Sequence, residues 1–499
     1  MPYFKNPTIK AIIERYRTLA SIDHARALMG WDLEVYMPEE GVKERGIATA
    51  QLSLLHQKLL LDKGLASLVA KASKAKGLND YEKGTIRVLS KKIDQKRKIP
   101  PKLVEREAIA QQQGQVAWRN ARAKADFTLF EPYLEKLVGI AQEKADKLGY
   151  KTHPYDAMVD YYEEGMTTRE LESIFPPFIM NSKKLLKRIM AGDNGFTKAQ
   201  RLEKLAYKKE DVQRVNEALL RAFKYDPKRF RMDVSTHPFT EVIGSNDVRM
   251  TTRYEGTDLK RSVFSTVHEG GHVLYELLID QNLSMTPIAG GISTGVHEAL
   301  SRVWENNIGR SMAFVKGITP LMKKDLGFLR NYAAEELFYY FNTVKPGFIR
   351  VDADEVTYNF HIALRYELEK MLMGREIKTK DLPDIWNDKM EEYLGIRPKN
   401  DALGVLQDVH WSMCAIGYFP AYSLGNMAAA MMMEHARKSI KDLDSQLEHR
   451  NFAPIQKWLG EKICRYGSTY APKDLLKRAF GEGYNPDYLI RYLESKYLE

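Results

Sequence analysis

His237-Pro-Phe-Thr-Glu-Val-Ile-Gly-Ser-Asn-Asp-Val-Arg-Met-Thr-Thr-Arg-Tyr254 is the stretch on which the fold class turns. Its runs Thr240 to Ile243 and Val248 to Tyr254 flank the turn-forming Gly244-Ser-Asn-Asp247, the pattern of a short antiparallel hairpin. On both sides the apolar period is helical. Upstream, Asn6 can cap a first helix, Pro7 suits its first turn, and Ile9, Ile12, Ile13, Tyr16 and Leu19 recur at helical spacing. Similar periods run to about residue 230, with breaks expected at Pro38, Pro100-Pro101, Gly149 and Pro176-Pro177. Downstream, helical patterning resumes at about Leu259 and continues to the end, with Thr319-Pro320 expected to open one long helix and Asp354 to cap another. The expected fold is all-α, predominantly helical, with one small antiparallel β element.

At 499 residues the chain exceeds the size at which one core usually stops growing, so two lobes are expected. The 44% hydrophobic and 28% charged residues match ordinary globular proteins rather than disordered or fibrous ones. A net charge of +10 arises from 76 basic against 66 acidic residues, which reads as a mixed solvated surface rather than a nucleic-acid face. The two cysteines, Cys414 and Cys464, are too few for a disulfide framework, and residues 1–6 carry no signal-peptide pattern, so the expectation is a cytoplasmic protein. Trp411 to Met433 is uncharged and long enough to span a bilayer, but Gly417, Pro420, Ser423, Gly425 and Asn426 interrupt it. A buried loop and core helix is expected there, and no membrane partner.

Just past the hairpin lies Val267-His-Glu-Gly-Gly-His-Val273. Histidines four apart project from one helical face and can share a cation, leaving Glu269 beside the open coordination position. A zinc-type site needs a third ligand and a water that gives up a proton. Glu298, in Gly295-Val-His-Glu-Ala-Leu-Ser-Arg-Val-Trp-Glu305, is the candidate, carried on a second helix. The site thus spans about 265–306, with His268, His272 and Glu298 as ligands and Glu269 as base. His297 points about a quarter-turn or more away from Glu298 and is left a supporting role. Gly290-Gly-Ile-Ser-Thr-Gly295 has no following Gly-Lys-Ser/Thr and reads as a tight loop, not a phosphate cradle.

Further segments extend the pattern: Gly30-Trp-Asp with Met37-Pro, His237-Pro-Phe, Asp247-Val-Arg-Met-Thr251, His297 to Asn306, Ile349-Arg-Val-Asp-Ala-Asp354 and Gly404-Val-Leu-Gln-Asp-Val-His-Trp411. Through these the chain resembles the thermostable metallocarboxypeptidases of the carboxypeptidase Taq family. Ala299-Leu300 is its one variable stretch, and it removes neither ligand nor base. The resemblance implies release of single residues from the free C-terminus of peptides, with broad side-chain tolerance. It also implies one zinc or cobalt ion per chain and a mostly helical homodimer with a deep groove, residues 1–499 forming a single catalytic domain of two lobes.

In that family the segments matching Ile349–Asp354 and Gly404–Trp411 look like the closed end of the groove, which points to Arg350 and to Gln407, Asp408 and His410. A bidentate guanidinium suits a carboxylate, nominating Arg350 first and Arg249 second for the substrate's C-terminus. For the oxyanion, His237, His410 and Tyr422 are candidate donors. The strand Val248 to Thr252 is expected to offer its edge to an extended peptide, giving main-chain binding without side-chain preference. Two rivals remain at this stage: an oligopeptidase or dipeptidase on the same metal chemistry, and a helical nucleic-acid-binding protein in which the histidine helix is only structural.

Overall fold

The computed structural model describes residues 2–192, 194–198, 201–254 and 256–499. Among the described residues are twenty α-helices and three strands. The chain divides into two compact units. The first comprises Met1–Arg97, Arg201–Phe341 and Met432–Gly483; the second comprises Lys98–Gln200, Asn342–Met431 and Tyr484–Glu499.

In the first unit the opening helix runs Pro7–Val35, and the Asn6 side chain accepts from the amides of Thr8 and Ile9. All five apolar residues of its expected face are buried. Glu82 accepts the amides of Lys5 and Asn6, at 2.8 and 2.7 Å, and so ties the entry of this helix to the helix Asp80–Lys98. Phe223, Trp304, Phe314 and Phe452 make an aromatic core, with Phe223 centred 5.1 Å from Trp304 and 4.8 Å from Phe452.

The hairpin forms as expected: Thr240–Gly244 (β2) pairs antiparallel with Asp247–Thr252 (β3). A third strand, Phe230–Val234 (β1), pairs parallel with β3, so the sheet is mixed, in the order β1-β3-β2. This corrects the expectation that the Val248–Thr252 strand offers a free edge. β3 is central and its ladder is satisfied on both sides, so the edges belong to β1 and β2.

Two proline expectations also fail, for one reason. Thr319-Pro320 opens no helix: that helix runs Met312–Asp325 from its cap at Ser311, with Pro320 inside. In the second unit Pro176-Pro177 breaks nothing, because both lie within Thr168–Ala191. A helical proline forfeits one backbone bond to the carbonyl four residues earlier. Here Pro176, Pro177 and Pro320, with the residues whose carbonyls they free, Glu172, Ser173 and Lys316, all lie on exposed faces. Water can serve those carbonyls, while Leu171, Ile174, Phe175, Phe178 and Ile179 keep an unbroken apolar stripe.

Asp354 does not cap the helix itself: it accepts from the amides of Val356 and Thr357 within the turn 355–357, and Thr357 is the residue that flanks the helix Tyr358–Met373. Trp411 to Met433 forms a 3-10 turn, a loop and the first part of the buried helix Pro420–Ser439. Among the described residues no helix is long and apolar enough to cross a membrane.

Candidate metal centre

The helix Leu259–Leu277 starts at Asp258, whose side chain accepts from the Arg261 amide. It carries His268, Glu269 and His272. The two glycines between them are there for closeness. A Cβ on Gly271 would lie 2.6 Å from the Ser301 Cα and 2.9 Å from the Leu300 carbonyl; one on Gly270 would lie 2.6 Å from the Tyr225 hydroxyl. Gly271 therefore lets the helix Thr294–Arg302 approach backbone to backbone. That second helix is capped by Ser293 and carries Glu298 on its buried side.

The approach brings both His268 Nε2 and His272 Nε2 to 3.7 Å from Glu298 Oε2. The three ligand atoms lie within 4.8 Å of one another. Ligand atoms about 2.0–2.2 Å from a tetrahedral zinc would be roughly 3.3–3.6 Å apart, so the two histidine–glutamate spacings need shifts of about a tenth of an ångström or more and the widest spacing has to close by about an ångström to admit the ion. Two imidazoles and a carboxylate are also the donor set such an ion takes. The residues fit a divalent cation.

Each candidate ligand is held from behind. His268 Nδ1 lies 2.8 Å from Glu305 Oε2, and Glu305 is gripped by Arg302 at 2.9 Å and Arg310 at 3.1 Å. Arg302 also donates to Glu298 Oε1 at 2.7 Å, leaving Oε2 for the cation. After Arg302 the helix widens into a π-turn, Val303–Gly309, which carries Glu305. His272 Nδ1 lies 2.6 Å from His297 Nδ1. From β2, the Thr240 hydroxyl donates to Glu269 Oε2 at 2.7 Å and fixes the rotamer of that carboxylate.

Burial depresses His268, but Glu298 and Glu305 more than offset it, so its pKa lies above the ordinary value. Burial and the charges of His297 and His268 hold His272 well below that value. Burial pushes the Glu269 carboxyl up. Glu305 goes the other way: Arg302, His268 and Arg310 overcome its burial and hold it well below the usual carboxylate range.

Of the other expected residues, two are in the first unit. Arg249 is closed on Asp247, Nε and Nη2 each 2.7 Å from a carboxylate oxygen, and sits over the Trp31 ring. His237 lies in the β1–β2 connection with an exposed side chain, its carbonyl accepting from the Ser235 hydroxyl. The remaining three gather in the second unit around Asp408. Arg350 donates to Asp408 Oδ1 through Nε and Nη2 at 3.0 and 2.8 Å, and to the Tyr358 hydroxyl at 3.1 Å. Arg365 takes the other oxygen of Asp408. The Arg350 guanidinium lies 5.1 Å from the Tyr422 ring centre, and His410 Nε2 is 3.4 Å from the Tyr422 hydroxyl. Burial, together with Arg350 and Arg365, pulls His410 down to about 4 despite Asp408, so it is neutral at pH 7.

Sequence reading missed Thr240, Glu305, Arg310 and Glu276. Glu298, Arg302 and Glu305 follow an i, i+4, i+7 spacing, and Glu276 follows His272 by four, so those two glutamates left a local signal. Thr240 left none, because only the packing of β2 on the metal helix brings it to Glu269.

A model of the carboxypeptidase Taq (M32) metallopeptidase family matches residues 11–497. Thermostable carboxypeptidase 1 of Pyrococcus furiosus is 47% identical over 496 residues, 99% of each chain. Carboxypeptidase 1 of Bacillus subtilis is 35% identical over 501 residues, 98% of this chain and 97% of its own. The solved Pyrococcus furiosus carboxypeptidase superposes with a TM-score of 0.97 at 47% identity, covering 99% of this chain and 100% of that one. The chain belongs to the carboxypeptidase Taq family of metallopeptidases and is a metallocarboxypeptidase.

Proposed function

We propose that the enzyme releases single residues from the free C-terminus of peptides, with broad side-chain tolerance, using one zinc or cobalt ion held by His268, His272 and Glu298. The observation that carries this reading is the convergence of both Nε2 atoms on Glu298 Oε2 beside a base clamped by Thr240. When bound there, the cation supplies Lewis-acid activation of water and of the scissile carbonyl. Glu269 takes the proton of the attacking water and returns it to the leaving amine. Thr240 holds one carboxylate oxygen so that the other is free to receive that proton.

Arg350 is the first candidate for the terminal carboxylate of the substrate, with His410 and Tyr422 beside it. Two guanidiniums, Arg350 and Arg365, share one carboxylate, Asp408, and leave one net positive charge. Because the Arg350 fork is already engaged, the cluster attracts by its residual charge, with His410 and Tyr422 as neutral hydrogen-bonding groups for the carboxylate or the oxyanion. Arg249 and His237 have less behind them: one is closed on Asp247 and the other is exposed. The family model spans both units, which supports 1–499 as one catalytic domain. A homodimer rests on the resemblance and a cytoplasmic location on the cysteine usage, and no nucleic-acid partner is assigned.

The test is a mass-spectrometric time course on a peptide of about ten residues, free and C-terminally amidated, with enzyme stripped of metal and resupplied with zinc or cobalt. The expected result is metal-dependent loss of one residue at a time from the free acid only, with Arg350→Met eroding the preference for the acid. Dipeptide or internal cuts would select the oligopeptidase reading. No cleavage, with steeply salt-dependent nucleic-acid binding, would overturn both.

A further inference from the structure

The two histidine ligands are backed differently. Behind His268 stands a carboxylate, Glu305, the usual partner of a metal-bound imidazole. Behind His272 stands another imidazole, His297, and behind that Glu276. We propose that His297 is a positioning residue: it relays the acceptor strength of Glu276 to His272 and so holds that ligand in its metal-binding tautomer and ring orientation. The proposal rests on the assignment of His268, His272 and Glu298 as ligands.

Proton counting makes the chain directional. His272 presents Nε2 toward Glu298, so that nitrogen must keep its lone pair for a cation and the ring proton must sit on Nδ1. Its Nδ1 lies 2.6 Å from His297 Nδ1, and two N–H groups cannot face each other at that distance. His297 Nδ1 must therefore accept, which places the His297 proton on Nε2. That nitrogen lies 3.0 Å from Glu276 Oε1, a pure acceptor when ionised. Each link dictates the next: Glu276 accepts from His297, and His297 accepts from His272.

The surroundings are shaped to hold this chain. Glu276 is buried, one helical turn beyond His272, and its Oε1 also accepts the Gly291 amide at 3.0 Å. A Cβ on Gly291 would fall 2.5 Å from His297 Cδ2, so Gly291 closes on the ring at a distance only glycine allows. The Ser468 hydroxyl pins the loop through the carbonyls of Gly290 and Gly291, at 2.8 and 3.0 Å. His297 also packs against Tyr275, ring centres 5.0 Å apart. The ring cannot flip without breaking the Nε2–Glu276 bond. It adjoins Glu298 in sequence yet takes no part in the ligand set, which is what a relay requires.

The experiment compares zinc affinity, by chelator competition, and the visible absorption of the cobalt-loaded protein in wild type, His297→Phe and His297→Asn, with metal-free melting temperatures as controls. Phe keeps a ring in the slot but offers no acceptor; Asn can present its amide oxygen near the position of Nδ1. The expected result is a loss of about ten- to hundredfold in zinc affinity and a changed cobalt spectrum in His297→Phe, with most of both restored in His297→Asn. Equal affinity and spectrum in His297→Phe and wild type would overturn the relay while leaving the ligand set standing. Equal impairment of both variants would also overturn it, assigning His297 to packing alone. A wild type that binds no stoichiometric metal would overturn the ligand assignment and the relay together.

Discussion

At the scale of single residues, Glu269 illustrates how the surroundings specialise one member of a motif. It stands between two histidines on one helix, yet only it receives a hydroxyl from β2, through Thr240. Glu269→Gln preserves size and one acceptor oxygen but removes the proposed base. We expect metal content unchanged by elemental analysis and turnover down by about a hundredfold to ten-thousandfold. Activity within a few-fold of wild type would mean another group takes the proton. Among the remaining residues, Arg350 shows the limit of inference from residue type. A guanidinium suits a carboxylate, but an internal one, Asp408, already occupies it. Whether an arginine fork is open depends on tertiary neighbours that its own segment does not name.

At the scale of elements, the site depends on how closely two helices approach. Gly271 abuts the backbone of Ser301 and Leu300, so the distance between Leu259–Leu277 and Thr294–Arg302 is set where His268, His272 and Glu298 converge. For Gly271→Ala we expect a loss of about 1–3 kcal/mol in stability, from forced separation of packed backbones, and weaker metal binding besides. Gly139 is a fair control, since a Cβ there meets nothing within 4 Å in the helix Glu131–Leu148. Gly139→Ala should instead stabilise by about 0.5–1 kcal/mol. Chemical denaturation of both variants, with zinc titrations, checks the pair; similar effects of both would remove the close-approach argument. Helical prolines make the complementary point, because Pro176, Pro177 and Pro320, with the residues whose carbonyls they free, all lie on exposed faces.

At the scale of the molecule, pH dependence of stability should include a contribution remote in function from the metal ligands. Glu369 is buried in the second unit, accepting from the Tyr155 hydroxyl at 2.7 Å, the Trp411 indole at 2.9 Å and the Gly417 amide at 2.9 Å. Burial outweighs these bonds and raises its pKa from an ordinary 4.5 to about 7. The folded state therefore holds this proton more tightly than the unfolded chain. Its contribution to stability is fully present below about pH 4.5 and is lost as the pH rises to about 7, with a slope of at most about 1.4 kcal/mol per pH unit. Denaturation of metal-saturated wild type and Glu369→Gln across that range should show a falling difference that levels off above pH 7. A difference independent of pH would mean that Glu369 is ionised throughout.

What the sequence by itself determined is what local periodicity encodes. The helical class, the Asn6 cap, the hairpin and the two histidines four apart all follow from spacing along one segment, because the partners lie within a few turns of each other. The position of Glu298 beside the two histidines was legible as well, since a second helical period begins right after a glycine loop. Tertiary structure decided the rest. It inserted β1 parallel beside β3, turning the expected free strand into a central one, because a parallel partner distant from the hairpin leaves no turn signal beside it. It closed Arg249 on Asp247 and Arg350 on Asp408, and it brought Thr240 to Glu269. In each of these cases the deciding contact is set by packing or by side-chain choice rather than by periodicity, and period alone cannot tell which acceptor a donor will meet.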